Sequence, residues 1–330
     1  LPTASTLMPA LLNVRPTVML SVPLVIEKIY KSQVAARFRK RRLLDRLYST
    51  GWFRRAYHRL AGRRLRRVFG GNLRFFGSGG AKLDAATELF LHEARFPYAI
   101  GYGLTETAPL LAGAIPGRVK LRSTGPMLRD VLVRLDNVDP ETGDGEIVVH
   151  SPSTMQGYFK NPEATRSVLL HDGWFRTKDL GHFDEEGNLF IMGRVDNMIV
   201  GADGENIYPE EIESVINSHL LVTDSIVKKQ QGKLVAMVHF DKGKVDDRPK
   251  VPKQTITQRM TEIKNELIEY VNSKVNKSSR ISEVEEQEKG FEKTPTQKIK
   301  RFKYTASPAK KQKAGAATQE SGLDTPKKSK

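Results

Sequence analysis

The sequence predicts a mixed α/β chain in three parts: a layered α/β part, an antiparallel β part and a small α+β domain. Three observations carry this. Up to about residue 118, strand-like apolar runs alternate with helical patterns, as in RPTVMLSVPLVIEKIYK and in NLRFFGSGGA before 84–96. Such alternation builds a layered sheet with helical crossovers. From about 119 to 195 the strands shorten and turn signals separate them: DVLVRLDN, DPETGDG, GEIVVHS, DEEGN, NLFIMGR. That is the pattern of antiparallel strands. From about Asp196 the texture changes again, with a helix over 209–220, strands at SIVKK and LVAMVHF, and an amphipathic helix over 257–274.

The elements follow in order. The first 36 residues predict a strand, a turn at Pro23 and a helix. The nearly apolar run 17–26 has about half the length a membrane-spanning helix needs. It contains Pro23 and is expected to be a buried strand. Residues 72–81 predict a strand ending in the glycine turn Ser78-Gly79-Gly80, and 84–96 a helix. PYAIGYGLTETAP predicts a further strand with a loop, and DKGKVDDRPKVPKQT a polar loop before the long helix.

Composition narrows the function. The chain has no cysteine, which removes disulfides and thiolate metal sites. Its seven histidines are scattered, so no histidine-rich metal site is expected. The net charge of +16 is concentrated in two segments. Residues 37–67 hold 13 Lys/Arg against one acid, and 298–330 hold 10 against two. In the first, Trp52, Phe53, Ala56, Tyr57 and Leu60 recur at helical spacing between arginines. Two readings stand: a surface helix pair packed by this stripe, or an interfacial helix lying on anionic lipid. No motif for reading DNA or RNA accompanies the charge, and no nucleic acid is expected as partner. The end of the chain, from about Ser307, is poor in apolar residues and is expected to be a solvated tail.

Several short stretches suit a nucleotide. Glycines at 79 and 80, between strand and helix, let backbone N–H groups approach a ligand. No G-x-x-x-x-G-K-[ST] phosphate loop occurs. Tyr102-Gly103-Leu104-Thr105-Glu106 combines a ring that can stack on a base, a hydroxyl for a phosphate and a carboxylate for Mg²⁺. A turn with a core tyrosine is the plain alternative. Asp179, with Arg194 fifteen residues on, supplies a carboxylate for ribose hydroxyls and a cation beside it. A surface ion pair is the alternative there.

Five segments occur in one order: GYGLTETAP, GEIVVHSPSTMQGYFKNPEAT, GWFRTKDLGHFDEEGNLFIMGRVDNMIV, GENIYPEEIE and FEKTPTQKIKR. Together they resemble the AMP-forming adenylating family of acyl-CoA synthetases, luciferases and peptide-synthetase adenylation domains, over about residues 1–305. Within it, RPTVMLSVPLVIEKIYK, FFGSGGAKLD and FEKTPTQKIKR look most like long-chain fatty-acid–CoA ligases, and 37–67 resembles a basic helical insertion of those enzymes. The resemblance implies a partial large domain of layered α/β sheet (1–118) plus a distorted β-barrel (119–195). A small mobile domain (196–305), with its hinge at Asp196, and a basic tail (306–330) would follow. It implies ATP, Mg²⁺ and CoA, and a long-chain fatty acid as substrate. By motif, Gly80, Ala81 and Tyr102 would line the adenine pocket, and Gly79 and Gly103 would also bind the nucleotide. Thr105 would meet phosphate, Glu106 would hold Mg²⁺, and Asp179 and Arg194 would grip the ribose. Lys298 would be the catalytic lysine entering from the small domain, and Gly204 and Glu205 would meet CoA. A cytoplasmic location is expected, with peripheral contact at the inner face of a membrane.

The sequence departs from the family pattern in three places. Lys178 and Gln297 stand where much of the family has glycine. The Ser/Thr/Gly-rich phosphate loop lies upstream of any segment present, and the first residue is Leu1. An N-terminal portion is therefore expected to be missing, and the chain as given is expected not to turn over ATP. Two other readings stand beside the long-chain ligase: an adenylating enzyme with another acid or acceptor, and a non-catalytic basic module at a membrane surface.

Overall fold

The computed structural model describes residues 4–30, 50–201, 203–246, 256–294 and 298–305. The chain divides into two compact units, Leu1–Leu220 and Leu221–Lys330.

The first unit opens with helix α1 (Ala4–Val14), strand β1 (Val18–Ser21) and helix α2 (Pro23–Ile29). Pro23 occupies the first turn of α2, where a missing N–H leaves no helical bond unmade. The run 17–26 is therefore not one buried strand. It splits at Val22, and Val18 and Leu20 of β1 are 61% and 77% exposed. Helix α3 (Gly51–Val68), strand β2 (Phe75–Gly79), helix α4 (Ala85–Glu93) and strands β3 (Tyr98–Tyr102) and β4 (Ala112–Ala114) follow. The sheet order is β1-β2-β3-β4, the first three parallel and β4 antiparallel to β3. Phe69, Phe76 and Phe96 meet edge-on or tilted at 5.6–5.9 Å between centroids, in a core shared with Ile26, Phe90 and Leu91.

Helix α3 packs by a face that its apolar stripe does not announce. The buried residues are His58, Gly62 and Leu65. A Cβ at Gly62 would come within 2.7 Å of Ala94 Cβ, so only glycine allows this approach. Glu93 of α4 accepts from Arg54 at 2.8 Å and lies 2.7 Å from His58 Nδ1. Of the stripe, Tyr57 packs on the core, while Trp52, Ala56 and Leu60 face outward, unlike in the packed-pair reading. Residues 37–49 of the basic segment lie outside the described residues.

The second sheet of this unit is an antiparallel meander of β5 (Leu132–Asp136), β6 (Gly145–His150), β7 (Phe175–Phe183) and β8 (Leu189–Arg194). Helix α5 (Pro162–Val168) lies between β6 and β7 in the chain. Ile147, Val149, Phe175 and Leu189 form its core with Leu111 and Ala112 of the first sheet region. The turn signals act as expected. Asp139 and Asp184 side chains accept from the backbone of Glu141 and of Glu186 and Asn188, while Gly143 and Gly187 take φ of +74° and +77°. Beyond Arg194 come a single 3₁₀ turn (Val195–Asn197), the hairpin β9 (Ile199–Val200) and β10 (Asn206–Ile207), and helix α6 (Pro209–Ser218). Lys82 pairs with Glu211 at 3.3 Å, and Asn206 donates to Asp139 at 2.9 Å. These elements thus group with the first unit.

The second unit is α+β. Strands β11 (Val222–Gln230) and β12 (Lys233–Phe240) form a hairpin, and β13 (Glu283–Glu286) joins β12 in parallel. A short helix α7 (Lys242–Asp246) opens the stretch expected to be loop, and α8 (Ile256–Asn272) follows. Ile263, Leu267 and Val271 recur every four residues and are fully buried. Asn272 exchanges two 2.9 Å hydrogen bonds with the backbone of Ile281. A last turn of helix, α9 (Phe302–Thr305), ends the described chain, and the expected tail from 306 lies outside it.

Candidate active site

The site forms where β2 and β3 end. Open α/β sheets bind ligands at the carboxyl ends of their parallel strands. Gly79 closes β2 opposite Gly101 of β3, and a Cβ at Gly79 would sit 3.2 Å from the Gly101 carbonyl. Gly80 follows with φ +84°, and a Cβ there would meet nothing within 4 Å. At Gly80 the edge is thus backbone beside open space, which suits the flat face of a base.

Tyr102 closes β3. Its hydroxyl donates to Asp179 Oδ2 at 2.8 Å, and burial, then the carboxylate, hold the phenol well above its ordinary pKa. Asp179 is 8% exposed and pairs in register with Arg194 across β7 and β8. Arg194 Nε lies 3.6 Å from Asp179 Oδ1. The Thr177 hydroxyl donates to the Ile147 carbonyl at 2.8 Å and accepts from Asp179 N at 3.1 Å, which fixes the backbone of the carboxylate. The structure therefore brings together three residues 77 and 15 positions apart: a ring, a buried carboxylate and a guanidinium. A burial of this kind is costly for a carboxylate unless donors meet it.

The chain doubles back after Tyr102. A Cβ at Gly103 would fall 1.7 Å from the Pro109 carbonyl, so no side chain fits there. The Thr107 hydroxyl is fully buried and bonds with the Leu104 N–H and carbonyl, both at 3.1 Å. This folding places exposed Thr105 and half-buried Glu106 on a 3₁₀ turn, Thr105–Thr107. Glu106 is held twice: its carbonyl accepts from Met155 N at 2.7 Å, and its Oε1 accepts from the Tyr158 hydroxyl at 2.9 Å. Burial, then this hydrogen bond, raises the Tyr158 phenol. Tyr158 lies within the family segment GEIVVHSPSTMQGYFKNPEAT, but nothing local gives it a role; its partner lies 52 residues away. The donor set fits an adenosine nucleotide with Mg²⁺: a ring, a ribose-ready carboxylate, a hydroxyl and a hard oxygen ligand.

Other expected residues lie elsewhere. Gly204, at φ +83°, and Glu205 form the turn of the β9–β10 hairpin, where the Glu205 carbonyl accepts from Gly201 N at 2.8 Å. Lys298 belongs to the second unit and its side chain is exposed. Thr294 N donates to the Lys298 carbonyl at 2.7 Å and Lys298 N to the Thr294 hydroxyl at 3.1 Å. Gln297 lies outside the described residues.

Two family models match the chain: the AMP-binding enzyme over 1–159 and the AMP-binding enzyme C-terminal domain over 196–311. The chain belongs to the AMP-binding enzyme family. A long-chain-fatty-acid–CoA ligase of Mycobacterium bovis is 35% identical over 240 residues, 67% of this chain and 39% of the relative. A 2-succinylbenzoate–CoA ligase of Bacillus licheniformis is 38% identical over 165 residues, 48% of this chain and 34% of the relative. Among solved structures, the O-succinylbenzoate coenzyme A synthetase of Bacillus subtilis in complex with AMP superposes with a TM-score of 0.66 at 21% identity. That match covers 93% of this chain and 54% of the other. The chain spans about two-fifths of the first of these relatives, and about half of the solved one. Adenylating acid–CoA ligases thus surround it in sequence and share its mixed α/β fold.

Lys178 now has a physical account. Its φ is +59°, the left-handed region, which explains why the family pattern favours glycine here. Its ammonium lies 3.6 Å from Asp196 in a half-exposed pair that stabilises little. A side chain in this conformation costs about 1–2 kcal/mol. Lys178→Gly is therefore expected to raise the unfolding free energy of the first unit by up to ~1 kcal/mol, after the greater chain entropy of glycine is set against the relieved strain. Denaturant unfolding checks this; a clear loss of stability would show that the Asp196 pair outweighs the strain.

Proposed function

We propose that the protein joins a long-chain fatty acid to coenzyme A through an acyl adenylate. The observation that carries this is the Tyr102–Asp179–Arg194 cluster, with the Glu106 carboxylate on the loop that continues from Tyr102. In this reading the Tyr102 ring and the Gly79–Ala81 backbone flank the adenine. Asp179 accepts from the ribose hydroxyls, and Arg194 lies beside it. The Thr105 hydroxyl donates to a phosphate oxygen. Glu106 holds Mg²⁺, which when bound offsets the charge of the phosphates.

The fatty-acid carboxylate oxygen attacks the α-phosphorus; that O–P bond forms as the bond to pyrophosphate breaks. The Lys298 ammonium stabilises charge growing on the phosphate oxygens. The CoA sulfur, losing its proton, then attacks the acyl carbonyl and AMP leaves. Rotation about Asp196 exchanges Lys298 for the Gly204–Glu205 turn between the steps. Support for a long-chain acid comes from the flanking segments RPTVMLSVPLVIEKIYK and FEKTPTQKIKR and from the 35% identity to a long-chain ligase. Relatives acting on 2-succinylbenzoate make the choice of acid a matter for assay.

Nucleotide binding tests the core of this reading on the chain as it stands. Asp179→Ala is expected to weaken AMP roughly 10- to 100-fold in calorimetry, from the ~1.5–3 kcal/mol of a charged hydrogen bond. Unchanged affinity would return Asp179 to a structural role. In the complete gene product, Lys298→Ala should slow pyrophosphate release about 10²–10³-fold and spare thioester formation from supplied acyl adenylate. Hexadecanoate, benzoate and 2-succinylbenzoate compared by kcat/KM decide the acid. Equal loss of both half-reactions from Lys298→Ala would contradict its assignment to the first step alone.

We also propose that the outward face of α3 rests on anionic lipid. Trp52 and Leu60 are 73% and 59% exposed, and Arg59, Arg63, Arg64 and Arg67 on the same helix are exposed with them. Arg54, by contrast, is committed to Glu93. No described helix is long and apolar enough to cross a membrane. Co-sedimentation with phosphatidylserine vesicles should fall when salt rises or when these four arginines become Gln. Binding indifferent to both would refute the lipid contact.

A further inference from the structure

The Glu106 carboxylate has one side-chain partner among the described residues, the Tyr158 hydroxyl at 2.9 Å. We infer that Tyr158 is the positioning residue of the metal-binding carboxylate, aiming Glu106 at Mg²⁺ by holding Oε1. The inference rests on the assignment of Glu106 as that carboxylate.

A phenol with an ordinary pKa near 10 is the donor to a carboxylate at neutral pH. It occupies one oxygen and orients the other. A carboxylate that ligates a metal is commonly fixed in this way by a second hydrogen-bonding group, and loss of that group typically costs 10- to 100-fold in metal affinity. The phenol is itself held by the segment that carries it. Tyr158 N donates to the Thr165 hydroxyl at 2.9 Å, and that hydroxyl donates to the Asn161 carbonyl at 2.9 Å. Asn161 N returns to the Tyr158 carbonyl at 3.2 Å. Asn161 also caps α5 by accepting from Ala164 N at 3.0 Å. Gly157, at φ +148°, passes so close to Thr165 that a Cβ would fall 2.9 Å from its methyl. The same segment holds the Glu106 backbone through Met155. Backbone and carboxylate of Glu106 are thus set by one platform, residues 155–165.

The test is the Mg²⁺ dependence of ATP binding to the 330-residue chain, by calorimetry with and without Mg²⁺. Mn²⁺ electron paramagnetic resonance in the presence of ATP gives a second readout that needs no turnover. Tyr158→Phe should leave metal-free ATP affinity within twofold and cut the Mg²⁺-dependent gain about tenfold or more. Glu106→Gln should abolish that gain. A thermal midpoint within a degree or two for Tyr158→Phe separates aiming from folding. A full Mg²⁺ gain in Tyr158→Phe, with the gain lost in Glu106→Gln, overturns the inference and leaves the metal assignment standing. A gain kept in both variants overturns the assignment of Glu106 itself. No ATP binding by the unaltered chain overturns both.

Discussion

A carboxylate taken almost wholly out of water needs donors, and Asp179 finds them on two different sheets. The Tyr102 hydroxyl reaches it from the end of the parallel sheet, and Arg194 faces it across the antiparallel one. Neither sheet supplies both. The phenol is buried too, so it depends on the same contact. Removal of either partner would leave the other stranded in a poorly hydrated place, which is the expensive outcome. This mutual need joins the two layers of the first unit at one point, and the candidate site lies around that point.

The remaining features arrange themselves about it. The register of β7 and β8 sets Arg194 opposite Asp179, and an irregularity at Leu180/Gly181 begins just past the pair. Thr177 and Asp179 are both buried on β7, and Lys178 between them takes a left-handed φ. On the other side, Gly103 and Thr107 fold the chain so tightly that Thr105 and Glu106 stand out on a short turn. The polar tip is held by backbone geometry more than by packing.

Much of this was legible in the sequence, and the reasons differ by element. The turns at Asp139 and Asp184 are local chemistry, a side chain bonding its own backbone, so DPETGDG and DEEGN marked the meander correctly. Tyr102, Asp179, Arg194 and Glu106 were legible through ordered motifs, and the family was legible with them. Of the two readings of helix α3, the packed stripe is met only in part, because its burial also uses residues that apolarity does not score. His58 is buried beside Glu93, and Gly62 is buried for lack of a side chain. The run 17–26 misled because its apolar content belongs to two elements that Pro23 separates. Tyr158 escaped notice because its role lies wholly in a contact across 52 residues. The strain at Lys178 was visible only as a departure from a pattern, and the backbone angle supplies its meaning.

The double attachment of Glu106 to residues 155–165 also has a thermodynamic side. The Met155 N–H and the Tyr158 hydroxyl tie two points of one loop to two points of another. Whatever favours one arrangement of Glu106 favours the matching arrangement of that loop, and the coupling free energy is the same in both directions. A ligand bound by the carboxylate would therefore protect the backbone amides of that segment as well. Conversely, a change that loosens the cap of α5 at Asn161 would tax the affinity at Glu106 by an equal amount. The segment between β6 and β7 is in this sense coupled to the nucleotide site through its two hydrogen bonds to Glu106.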